Sequence, residues 1–119
     1  MRKTLTAVVF CSALLPAAAH AEAFARCLIA RLPGTDNDIR ATAVFTLCTQ
    51  KTPSGLASVK QGSGRGWFGY QSGAECTAAE AAGTRSHRAA YMIAMACAKL
   101  YDPPTEVDLF LDAAEARRR

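Results

Sequence analysis

Apolar positions along this chain follow three regimes. From Leu5 to Leu15 they run almost unbroken; beyond residue 25 they recur at helical spacing; and over residues 62–73 the periodicity stops and glycine takes over. The clearest stripe is Ala89, Ala90, Ile93, Ala96, Cys97 and Leu100, one face of a helix at 3.6-residue period. Ser86 stands where an N-cap belongs, and Asp102-Pro103-Pro104 ends the helix, because proline has no N–H and clashes with the preceding turn. Upstream, Ser72 and Glu75 have capping-box spacing and start a helix through Cys76 to about Ala82, where Gly83 can take the left-handed conformation that stops it.

A weaker version lies earlier in the chain. There Gly34 supplies the stop, Asn37 caps the next helix, and Ile39, Ala41, Val44, Leu47 and Cys48 form its expected buried side. A last helix is predicted over 106–116, capped by Thr105 with Asp108 three residues on. Its stripe of Val107, Phe110, Leu111 and Ala114 is expected to lie against the rest of the fold, with Asp108, Asp112 and Glu115 outward. "PSGLASVKQ" has room for one short helical turn, and no segment reads as a strand. Met92 and Met95 read as core filler.

The two helical pairs are related. A shift of 49 residues superposes Cys27 on Cys76, Gly34 on Gly83, Thr35 on Thr84 and Cys48 on Cys97, with Ala30 and Ala41 also matching: 6 identities in 22 positions. Alanine is common here, so its matches mean little, but both cysteines and a Gly-Thr pair in register point to an internal repeat, residues 26–48 and 75–97. Each unit is two antiparallel helices around a tight turn. The expected fold is therefore all-α: two αα-hairpins plus a C-terminal helix, in one small domain over residues 22–119.

Residues 1–21 read as an address. Arg2 and Lys3, the short apolar run, Pro16, and small residues at Ala19 and Ala21 are the parts of a cleavable export signal, with cleavage expected after Ala21. Phe10 before Cys11 is too bulky for a lipoprotein signal. No later segment approaches the roughly 20 apolar residues that span a bilayer, so no transmembrane segment is expected, and the location implied is periplasmic or secreted.

Removing the leader changes two counts. Cys27, Cys48, Cys76 and Cys97 remain, and an even number in an exported chain reads as a disulfide framework. Pairing Cys27 with Cys48 and Cys76 with Cys97 would staple each hairpin across its open end, each closure contributing about 3 kcal/mol. The other two connectivities would tie hairpin to hairpin; spacing leaves them open, and the local pairing is favoured. Charge falls too: the remaining chain keeps 12 of 14 Lys and Arg and all 10 Asp and Glu, and without Arg117, Arg118 and Arg119 it is slightly acidic. The high isoelectric point thus describes a leader and a tail, not a basic surface, and no nucleic-acid partner is expected.

"GWFGY" ahead of "EC", followed by Gly83, Ser86, Ala89-Ala90, Ile93 and Ala96-Cys97, resembles a motif of small uncharacterised bacterial exported proteins, roughly W-F-G then E-C-x6-G-x-x-S-x-x-A-A-x-x-I-x-x-A-C. The resemblance covers about 30 residues. The first unit departs from it, with Asn37 in place of Ser and only Ala41 left of the alanine pair. What it implies is a helical cysteine unit, and no catalytic residue.

Candidate chemistry is sparse. Zinc ligands usually come two to four residues apart, and these cysteines are 20 or more apart, so no metal or other cofactor is expected. A bonded sulfur is no thiolate, which removes a Cys–His nucleophile, and His87 belongs in the solvated first turn of its helix. Asp36 and Asp38 flank the Asn37 cap, where a helix N-terminus favours acids; calcium would need Gly and Glu where Ala41 and Leu47 stand when the loop is counted from Asp36.

What remains is the loop 62–73 with Trp67, Phe68 and Tyr70 beside Arg65 and Lys60. On packing grounds the favoured reading folds Trp67 or Phe68 back as a plug between the hairpins. The functional reading makes the aromatic residues, with Arg65, a grip on a partner. The class expected is a non-enzymatic exported module that binds a protein or envelope component, of inhibitor, immunity or accessory type; a small envelope hydrolase or redox helper is the alternative.

Overall fold

The structure is a computed structural model and describes residues 22–119; the expected leader, residues 1–21, lies outside the described residues. Short polar side chains set where its helices begin. Asn37 Oδ1 accepts the Arg40 N–H at 2.9 Å and opens α2, Asp38–Lys51. Ser72 Oγ accepts the Glu75 N–H at 3.1 Å and opens α3, Gly73–Glu80. Ser86 Oγ accepts the Ala89 N–H at 3.0 Å and opens α4, His87–Tyr101. Thr105 and Asp108 form a reciprocal capping box at the start of α5, Glu106–Arg118. Before these stands α1, Ala23–Arg31, and one 3₁₀ turn, Gly55–Ser58, falls in the segment where sequence allows it. The described residues contain no strand.

α1 and α2 make one hairpin, α3 and α4 the other, and each is bridged by its own disulfide. Cys27 joins Cys48 and Cys76 joins Cys97, with Cα–Cα separations of 5.8 and 5.6 Å. The local pairing is thus the one formed. Both turns have the same build. Thr35 N–H bonds Leu32 O and Thr84 N–H bonds Ala81 O, each at 3.0 Å, and Gly34 and Gly83 hold the positive φ (77° and 72°) in third place. Only glycine adopts that angle without strain.

The shared Gly-Thr pairs also lock one hairpin to the other. Thr35 O accepts from the N–H groups of both Arg85 and Ser86, and Gly34 N–H donates to Thr84 Oγ1 at 2.9 Å. Asp38 Oδ1 accepts from the Ser86 hydroxyl and the Arg88 N–H, although Ser86 is already the cap of α4. Thr35 and Ser86 are buried in this joint. Away from it, α4 is the central element, packed against α1, α2 and α3. Ala89, Ile93, Ala96, Cys97 and Leu100 meet Phe24, Leu28 and Leu32 of the first hairpin and its turn, and all are buried.

Three expectations are corrected. Ile39 is 84% exposed and Leu47 is also exposed, because α2 packs through Ala41, Val44 and Cys48 and turns the flank bearing the other two to solvent. Met95 is exposed, whereas Met92 is partly buried and packs against the core, so only Met92 serves in part as filler. The C-terminal helix does not lay its stripe on the hairpins: Val107, Phe110 and Leu111 are all exposed. Its direction is set at Asp102, whose carboxylate accepts the Gly73 N–H and whose carbonyl accepts from Gln61, before Pro103-Pro104. From there α5 borders a cleft with Asp108, Leu111, Asp112 and Glu115 opposite Lys60 and Lys99, so a mostly acidic side faces the body and, of the expected stripe, Leu111 borders the cleft.

Candidate functional site

The last carbonyls of any helix lack intrahelical donors, and the glycine-rich loop supplies them for α4. Gln61 Nε2 reaches Ala98 O at 2.7 Å, Gly62 N–H reaches Lys99 O and Gly64 N–H reaches Leu100 O at 2.8 Å. Arg65 Nη1 donates to Tyr101 O at 2.8 Å and to Gln71 O at 2.9 Å, tying the two legs of the loop together. Close backbone approach explains the glycine content. Arg65, grouped by sequence with the partner-binding aromatics, here serves as a clamp at the loop's base.

The returning leg is held as firmly. Tyr70 donates its hydroxyl to Glu80 Oε1 at 2.8 Å and stands edge-on against Tyr101, ring centroids 5.3 Å apart. The Glu80 carboxylate, by holding that proton, pushes the Tyr70 hydroxyl above the ordinary phenol range, with burial adding to it. Gln71 N–H donates to Glu75 Oε2, so the acid of the Ser72 capping box bonds one residue earlier than the usual pattern. Tyr101 is shared: Arg26 donates to its hydroxyl at 2.8 Å from the first hairpin. Neither Trp67 nor Phe68 forms the plug expected between the hairpins; the ring that folds back is Tyr70, and it does so against α3 and α4 of the second hairpin.

Between these anchored legs, Trp67 is 98% and Phe68 93% exposed, flanked by Gly66 and by Gly69 at φ 102°. Sequence placed the four residues in one group; the structure divides them into two that build the base and two that form the tip. Two neighbouring apolar rings on a footed loop can enter a partner's pocket without the ordering cost of a loose arm.

The other candidates are placed as follows. All four cysteines among the described residues are bonded, leaving no thiolate there as ligand or nucleophile. Among the described residues no group of three or more His, Cys, Asp or Glu is placed to hold a metal ion. His87 is exposed in the first turn of α4. Asp36 pairs with Arg40 at 3.8 Å, whereas Asp38 belongs to the hairpin joint, a role that no local pattern announces. No described helix is long and apolar enough to cross a membrane. No protein-family model matches the chain, and no match is found among curated proteins or solved structures.

Proposed function

We propose that this chain is an exported, non-enzymatic binding module, acting in the periplasm or outside the cell, whose Trp67–Phe68 tip seats in a protein or cell-envelope component. The observation that carries the reading is the near-complete exposure of two adjacent aromatic rings on a loop whose base is fixed by Arg65, Tyr70 and the end of α4. Exposing two such rings costs roughly the burial of 150–250 Å² each, a cost that a partner's pocket would recover. Two disulfides are compatible with an oxidising compartment, and the leader expected at residues 1–21 would deliver the chain there. Support against the redox alternative, and against a cysteine nucleophile, is the bonded state of every cysteine beyond the leader. Inhibitor, immunity or accessory action are forms the module could take.

The test is a pull-down from envelope extract with the wild-type chain and the Trp67→Ala/Phe68→Ala variant. Neither ring touches the fold, so the variant keeps its helical circular dichroism and loses its partner, with affinity down at least about tenfold. Retention of every partner by the folded variant would defeat the proposal. A thiol assay on exported protein adds an independent arm, since labelled cysteines would revive the redox reading.

A further inference from the structure

The cleft along α5 has two unlike walls. One is the segment Ala57–Gln61, which leads into the glycine-rich loop, together with Lys99 near the end of α4. The other is a single face of α5: Asp108, Leu111, Asp112, Glu115, Ala116 and Arg119, spaced by the threes and fours of one helical side. The first wall carries Lys60 and Lys99 and no acid. The second carries three carboxylates and one cation, Arg119, which stands at the far end and is paired with Glu115 at 3.0 Å. Attraction already reaches across. The Thr105 hydroxyl, then its N–H, and after them the charge of Lys99, hold Asp108 below the ordinary carboxylate range.

These walls are opposed but not joined. Among the described residues α5 makes no hydrogen bond or ion pair with the body, and none of its own residues is buried. A space of about 760 Å³ separates the two. The connection places the freedom at one point. Asp102 is held by Gly73 and Gln61, and Pro104 abuts Gly62, where an added Cβ would stand 3.3 Å from its ring. Each proline fixes its own φ and keeps the residue before it extended, so Asp102 and Pro103 do not turn. From Thr105 onward the capping box makes the helix one rigid piece. What remains is ψ of Pro104 and φ of Thr105.

We propose that α5 is a hinged arm that swings about the Pro104–Thr105 link and closes this cleft, setting Asp108, Asp112 and Glu115 against Lys99 and Lys60 and covering Leu111 on Ala57. The structure holds the open position. What fills the cleft is therefore the chain's own facing wall, and the opposite charges are those of residues that already look at one another. Exposed ion pairs are individually weak and are screened by salt. The arm is accordingly closed in dilute salt and released as the ionic strength rises.

Carbodiimide coupling, which joins an amine to a carboxylate only where the two touch, tests this on the disulfide-intact chain, the monomer being isolated before peptide mapping. In about 20 mM salt the wild type yields links from Lys60 or Lys99 to Asp108, Asp112 or Glu115. In about 500 mM salt, as the screening length falls from about 20 Å to about 4 Å, their yield drops at least about threefold. The radius of gyration from X-ray scattering rises in parallel. Lys60→Glu/Lys99→Glu keeps its circular dichroism but has the high-salt radius at both concentrations. Adding Asp112→Lys/Glu115→Lys to that chain restores part of the salt-dependent compaction, because opposite signs face each other again while the Asp108 cap is left in place. Absence of wall-to-wall links in the wild type, a radius indifferent to salt, or a charge-reversed chain as compact as wild type in dilute salt would each overturn the proposal.

Discussion

The Tyr70 hydroxyl bonds Glu80 while its ring stands edge-on to Tyr101, so this side chain is tied at two points to two helices. Removing the hydroxyl alone, in Tyr70→Phe, deletes one half-buried bond to a carboxylate and is expected to cost about 1 kcal/mol. Tyr70→Ala also deletes the ring and should cost about 2–3 kcal/mol. Trp67→Ala, three residues away, should change stability by less than about 0.5 kcal/mol, since its ring meets nothing. Urea denaturation of the three variants checks the ranking, and equal losses at 67 and 70 would contradict the division of the loop. Sequence could place these aromatics together but not sort them. Which ring turns inward depends on the partners Glu80 and Tyr101, 10 and 31 residues further along the chain, and no local signal encodes that.

Among the elements, what was legible is what is settled locally. The caps Asn37, Ser72, Ser86 and Thr105, the turn glycines and the disulfide pairing all follow from interactions within about 20 residues, and each stands as read. What failed was set by neighbours distant in sequence. Ile39 and Leu47 fit a helical stripe as well as Ala41 and Cys48 do, but only the latter face α1 and α4. The course of α5 depends on Asp102 being held by Gly73 and Gln61, which its own amphipathic pattern cannot report. Gly73 itself shows how close that packing is. A Cβ built there would lie 2.8 Å from Ala98 Cα and 2.8 Å from Asp102 Oδ2, in a helix whose first turn would otherwise gain about 0.5–1 kcal/mol from alanine. Backbone cannot yield as a flexible side chain can, so α3 must move off α4 and strain its bond to Asp102, at about 1–3 kcal/mol. Gly73→Ala is therefore expected to lower the thermal midpoint; a raised midpoint would mean that the α3–α4 contact is loose.

Taken whole, the molecule is two similar hairpins, and duplication alone does not say how the copies hold together. The apolar contacts of α4 supply area, but the joint at the turns supplies orientation, and its one carboxylate is that of Asp38. The Ser86 hydroxyl and then the Arg88 N–H, both donating to its carboxylate, hold Asp38 below the ordinary carboxylate range, with the charges of Arg88 and His87 adding to this. A folded-state pKa that is depressed means that the folded chain prefers the ionised form more than the unfolded chain does. The stability so contributed is fully present above the unfolded value near pH 4, and is lost as pH falls through the lower, folded value. Asp38→Asn keeps the shape and removes the titration. Wild type should therefore exceed this variant in urea midpoint at pH 7, and the gap should close as the pH is taken below about 4. A gap that persisted unchanged below about pH 4 would show that the coupling does not run through the carboxylate that bridges the two hairpins.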